Sequence, residues 1–170
     1  MNMTTAPTRL LTFGYEGLEI GTFLARAKEA GVQTIVDVRQ LPLSRKRGFS
    51  KSALGAALQQ AGIGYVHVPE LGCPKDIRNR YKVDGDWAAY TRDFLAYVGT
   101  QQSAIEKVAR LARNFAACLV CFEADHTRCH RTYVARSVRE RSGLPVMHLV
   151  ARDILADAGD QAGPTARSAG

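Results

Sequence analysis

The spacing of apolar residues along the chain changes repeatedly from runs to a helical period. Leu10-Leu-Thr-Phe-Gly-Tyr15 reads as a strand ending at a glycine, after which Ile20, Phe23, Leu24 and Ala27 recur at helical spacing up to a stop at Gly31. Thr34-Ile-Val-Asp-Val-Arg39 is a β-branched strand ending on charge, and Pro42 forbids its continuation. Ser50 caps a short helix carrying Leu54, Ala57, Leu58 and Ala61, and Tyr65-Val-His-Val68 makes a third strand. From Pro69 to Asp86 the periodicity is lost in Gly, Pro and charge, which predicts a long lid or rim. Trp87, Tyr90, Thr91, Phe94, Leu95 and Val98 form a helical stripe read as core packing. Ile105, Val108, Ala109 and Leu111 form another. The apolar run Phe115 to Phe122 is a buried strand, and a helix beginning near Thr127 runs to about Gly143, with Pro145 to Val150 as a last strand.

Alternating strands and helices predict an α/β fold: a single three-layer domain with a mostly parallel sheet and helices on both faces. The domain is expected to span residues 1–156, with 157–170 a disordered tail too poor in apolar side chains to pack. A parallel sheet delivers every strand's carboxyl end to one edge. That edge would collect Gly14 and Tyr15, Asp37 and Arg39, His67 and Glu70, Cys121 and Glu123, and His148.

Composition narrows the functional classes. A chain of 170 residues suits one core, and no apolar run reaches the eighteen or more residues of a membrane span. Four unevenly spaced cysteines and the absence of a basic-then-apolar leader point to a reducing cytoplasm and not to a disulfide scaffold. The formal charge of +7 favours an anionic partner, a small molecule or a nucleic acid. No acidic residue lies between Val38 and Pro69, where Arg39, Arg45, Lys46, Arg47 and Lys51 all fall.

The chemistry concentrates in Cys118 to Tyr133. Glu123, just past the fourth strand, and Asp37, at the end of the second, are the acid/base candidates. Cys129, in the first helical turn beside Arg128, His130 and Arg131, has the setting that favours a thiolate. Cys129 and His130 therefore join the catalytic candidates, whereas Cys121 reads as packing. Arg39, Arg45 and Arg131 suit bidentate binding of a phosphate or carboxylate, with Tyr15 and Ser44 beside them. Cys73, Cys121, Cys129, His126 and His130 offer soft ligands, but no spacing is a zinc signature and adjacent Cys129 and His130 diverge on a helix, so no metal is assigned. The residues point to no particular cofactor or oligomeric state.

Thr12-Phe-Gly-Tyr15, Asp37-Val-Arg39 with Pro42, Ser44, Arg45 and Phe49, Gly62-Ile-Gly-Tyr65, Leu71-Gly72, and Cys121-Phe-Glu123 with Cys129-His-Arg131 together resemble domain-of-unknown-function family 488, from about Leu10 to Val138. The resemblance implies an α/β domain and marks these positions as its site, without a reaction. The expectation is an enzyme acting on a phosphate-bearing substrate, nucleotide or nucleic acid, by acid/base chemistry. Two alternatives stand beside it. Ile35 to Arg39 also resembles the strand of rhodanese-type sulfurtransferases, with Cys121 as nucleophile, although the acidic loop after Cys121 departs from theirs. The second alternative is a nucleic-acid-binding module using the basic 39–51 segment.

Overall fold

A computed structural model describes residues 5–160. Six strands form one sheet in the order β3-β2-β4-β1-β5-β6, where β1 is Leu10–Gly14, β2 Thr34–Asp37, β3 Gly64–His67, β4 Ala117–Cys121, β5 Val146–Leu149 and β6 Ile154–Ala156. The first five are parallel, and β6 runs antiparallel to β5.

Alternation along each strand sorts its side chains into two cores. Leu11, Phe13, Ile35, Cys118 and Val120 pack with α1 (Ile20–Glu29) and α2 (Lys51–Gln60). Leu10, Val36, Leu119 and Cys121 face the other way, onto α4 (Trp87–Gly99), α5 (Gln102–Asn114) and α6 (His130–Ser142). The result is the three-layer α/β domain expected from the chain's periodicity. Among the described residues no helix is long and apolar enough to cross a membrane.

Two elements escaped the periodicity. The stretch expected to be an irregular rim contains α3 (Lys75–Asp84), which buries none of its residues and so carries no apolar stripe. Pro74 before it and Gly85 after it, the latter with φ 61°, are its boundaries. Strand β6 is only three residues long. It leads to Asp157, placed by the sequence in a disordered tail but here fully buried against His148, Arg136 and Arg139. Of the expected tail, residues 161–170 lie outside the described residues.

The chain leaves β1 toward α1 on one face and leaves the adjacent β4 toward α6 on the other. Neighbouring strands whose connections diverge in this way open a crevice at their carboxyl ends. The two connections touch closely. Tyr15 N–H donates to the Cys121 carbonyl at 3.2 Å and Glu16 N–H to that of Phe122 at 2.8 Å. A Cβ on Gly14 would fall 1.7 Å from the Glu123 carbonyl oxygen, so only glycine lets the β4 loop lie across the end of β1.

Candidate active site

A cavity of 530 Å³ occupies this edge of the sheet. Cys121, Phe122, Glu123, Arg128 and His130 line it from the β4–α6 connection, Tyr15 from β1, Arg39 and Ser44 from the loop after β2, and Arg78, Tyr81, Lys82, Trp87 and Tyr90 from α3 and α4. A larger hollow of 770 Å³ lies against α5, but its Glu106 carboxylate is taken by Arg113 and Arg141, and neither a thiol nor an imidazole lines it.

At the floor of the smaller cavity two thiols meet one carboxylate. Cys121, the last residue of β4, and Cys129 each donate from Sγ to Glu123 Oε2 at 3.4 Å. Cys129, expected in the first helical turn, lies just before it. A 3₁₀ turn occupies His126–Arg128, and α6 begins at His130 with Cys129 as its extended N-cap residue. The thiol is thereby turned back toward β4. Beside it, the His130 ring donates from Nε2 to the Val38 carbonyl at 2.7 Å, which leaves Nδ1 as an acceptor 3.9 Å from Cys129 Sγ.

The Arg131 guanidinium lies fully buried beneath this cluster. It donates to Thr12 Oγ1 at 3.1 Å, to Cys121 Sγ at 3.2 Å, to the Glu123 carbonyl, and to the Ala124 carbonyl at 3.4 Å. Among the described residues no carboxylate lies within ion-pair distance of it. Burial by itself would lower its pKa, but the sulfurs of Cys121 and Cys129 hold it raised. Burial likewise pushes the Cys121 thiol up, with Cys129 adding to the shift, while Arg131 pulls it down.

Behind Arg131 runs a buried file of hydrogen-bonded groups. Arg131 donates to Thr12, the Thr12 hydroxyl meets His148 Nδ1 at 2.6 Å, and His148 Nε2 meets Asp157 Oδ1 at 2.9 Å. The Asp157 carboxylate sits well below its ordinary pKa; burial opposes this, but hydrogen bonds from His148 and Arg136 outweigh it.

The residues singled out from sequence are thus distributed unequally. Asp37 and Glu123 share the carboxyl edge, since β2 and β4 are parallel neighbours with Asp37 opposite Val120. Asp37 is fully buried, however, and both of its oxygens are engaged. Oδ1 accepts from Arg39 Nε at 2.8 Å, and Oδ2 accepts from Arg39 at 2.7 Å and from the Tyr65 hydroxyl at 2.6 Å. The remaining Arg39 nitrogen donates to Tyr15 Oη at 3.0 Å and to the Phe49 carbonyl at 2.5 Å. Ser44 lines the cavity and accepts from Lys46 N–H at 3.1 Å. Arg45 is exposed and is not among the cavity's lining residues.

Arg39, Arg45 and Arg131 therefore do not converge as one clamp. The first is bound to Asp37, the second faces solvent, and the third lies under the floor. The cations left for a ligand are Arg78, Lys82 and Arg128, and among the described residues none of the three is within ion-pair distance of a carboxylate. Sequence reasoning missed them, although the density of Lys and Arg between Lys75 and Lys82 was a usable signal. The aromatic stripe has two functions: Tyr90 is buried, while Trp87 stacks on it at 4.6 Å and carries the Arg128 guanidinium 5.5 Å from its own ring centre.

The sequence profile of a family described as domain of unknown function DUF488 matches residues 19–138, well over half of the chain. The chain belongs to the DUF488 family. Neither a curated protein nor a solved structure matches it. The span matched to DUF488 contains the Asp37–Arg39 pair, the Cys121–Glu123–Cys129 cluster and Arg131, while Gly14, Tyr15, His148 and Asp157 lie outside it.

Proposed function

We propose that this DUF488 domain is an enzyme acting on a phosphate-bearing substrate with a flat ring, of the nucleotide class, with Glu123 as the proton-transferring group. One observation carries the reading: Glu123 opens into a cavity whose Arg78, Lys82 and Arg128 have no carboxylate partner among the described residues and whose walls include Tyr81, Trp87 and Phe122. Cationic side chains without carboxylate partners attract a doubly charged oxygen anion, and an aromatic wall of which Phe122 is the most exposed member suits a ring. Asp37, expected to share the acid/base work, is assigned instead to holding Arg39, because its oxygens are already occupied.

The test is a thermal-shift screen of nucleoside mono-, di- and triphosphates and short oligonucleotides, followed by binding and turnover assays on the hits. Arg78→Ala and Arg128→Ala should each weaken binding about tenfold. Glu123→Gln should keep binding and lose turnover by about 10² or more. Unchanged turnover in Glu123→Gln refutes the assignment.

A second reading, thiol-dependent group transfer, is favoured by the contact of both sulfurs with Glu123 and by the His130 acceptor beside Cys129. A substrate-derived adduct on Cys121 or Cys129, with an inactive serine variant at the same position, would put this reading first.

A further inference from the structure

We infer that Cys121, Cys129 and Glu123 form a binding site for a thiophilic divalent cation of the zinc class, with one coordination position open to the cavity. The inference goes beyond the acid/base reading. That reading uses Glu123 as a free carboxylate, whereas a loaded centre uses it as a ligand, so metal content must be measured separately from turnover.

The geometry is already close to that of a metal centre. One ligand atom from each of the three residues lies within 4.8 Å of the others. Each Sγ stands 3.4 Å from Glu123 Oε2. Tetrahedral zinc, with bonds of about 2.3 Å to sulfur and 2.0 Å to oxygen, separates those atoms by about 3.5 Å. Two sulfurs and one oxygen select zinc or a similarly soft ion over magnesium or calcium, which take oxygen shells.

The ligands are held from independent places. Cys121 ends a strand buried on both faces, Cys129 is fixed by the start of α6, and the loop carrying Glu123 is tied down where Arg131 holds its carbonyl. The N–H···S contact from Arg131 to Cys121, at 3.2 Å, is the outer support that metal thiolates receive. Charge also closes. Two thiolates and a carboxylate are neutralised by a divalent cation together with the buried Arg131 guanidinium, which has no carboxylate partner among the described residues. The spacing argument against zinc concerned Cys129 with its neighbour His130. His130 Nδ1 does lie 3.9 Å from Cys129 Sγ, but its Nε2 is committed to Val38, and the other partners of Cys129 come from across the loop.

Protein purified without chelator or histidine tag should contain about one zinc-class ion per chain by elemental mass spectrometry. Metal-free protein titrated with cobalt(II) should develop thiolate-to-metal charge-transfer absorption. Cys129→Ser should weaken binding by at least about a hundredfold and Glu123→Gln by about tenfold or more. Cys118→Ser should bind normally, because its thiol lies on the opposite face of the sheet. Zinc should also protect Cys121 and Cys129 of the native protein from alkylation, a readout that survives if a variant fails to fold. Cobalt binding without the charge-transfer band, equal affinity in Cys129→Ser, or absence of protection would each overturn the site.

Discussion

Arg39 and Arg131 are both buried guanidiniums at the same edge of the sheet, and they are held by opposite means. Arg39 grips a carboxylate through two nitrogens and spends the third on Tyr15 and the Phe49 carbonyl. Both Asp37 oxygens and all three Arg39 guanidinium nitrogens have partners in that network. Arg131 has a hydroxyl, two carbonyls and a thiol around it, but no anion of its own among the described residues. A buried cation is costly unless negative charge lies close by. The first site's charge is therefore balanced, and in that sense finished, when the chain folds, whereas Arg131 is left to the sulfurs of Cys121 and Cys129. The two arrangements sit on neighbouring strands, since Asp37 ends β2 and Cys121 ends β4.

The largest effect expected from breaking this contrast is on the finished site. Asp37→Ala strands Arg39 without its carboxylate and should cost about 3–5 kcal/mol of stability, read from urea unfolding. Arg131→Met should cost less, about 1–3 kcal/mol, because it orphans a hydroxyl and carbonyls but no carboxylate. Its signature should be slower alkylation of Cys121, since the cation that pulls that thiol pKa down is gone. If Arg131→Met proves as damaging to the fold as Asp37→Ala, the contrast fails.

Acid sharpens the comparison from the far end of the file behind Arg131. The folded pKa of Asp157 is depressed, so its contribution is fully present above the ordinary carboxylate value of 3.8 and is lost as pH falls below it. Below that value native stability should drop more steeply than that of Asp157→Asn, by at most about 1.4 kcal/mol per pH unit. Parallel slopes would remove Asp157 from the account. The smallest effect belongs to exposed Arg45. Arg45→Ala should change stability by less than about 0.5 kcal/mol and should weaken ligand binding less than Arg128→Ala does.

The layers were legible because the central strands β1 and β4 are apolar runs and the core-facing helices carry stripes, as α5 does with Ile105, Val108, Ala109 and Ala112. α3 was not, because a helix that buries nothing leaves no stripe to read. In the site, the position of Glu123 past the end of β4 could be read from local pattern. The partners of Arg131 could not, since Thr12 is 119 residues away and whether a guanidinium is saturated depends on carbonyls that no composition reveals. Arg39 presented the same difficulty in reverse: a strand-end Asp-Val-Arg looks like a paired acid and clamp until the two are seen to bind each other.

The file from Arg131 through Thr12 and His148 to Asp157 also orders events during synthesis. Every residue facing the cavity has been made once the chain reaches His130, yet the support behind Arg131 draws on His148 and closes only at Asp157. A nascent chain therefore passes through an interval in which its thiols and its cations are all present while the guanidinium beneath them is still without its supporting file. Completion waits on the last strand, so a chain cut short before Asp157 would carry every cavity-lining residue yet lack the buttress beneath them.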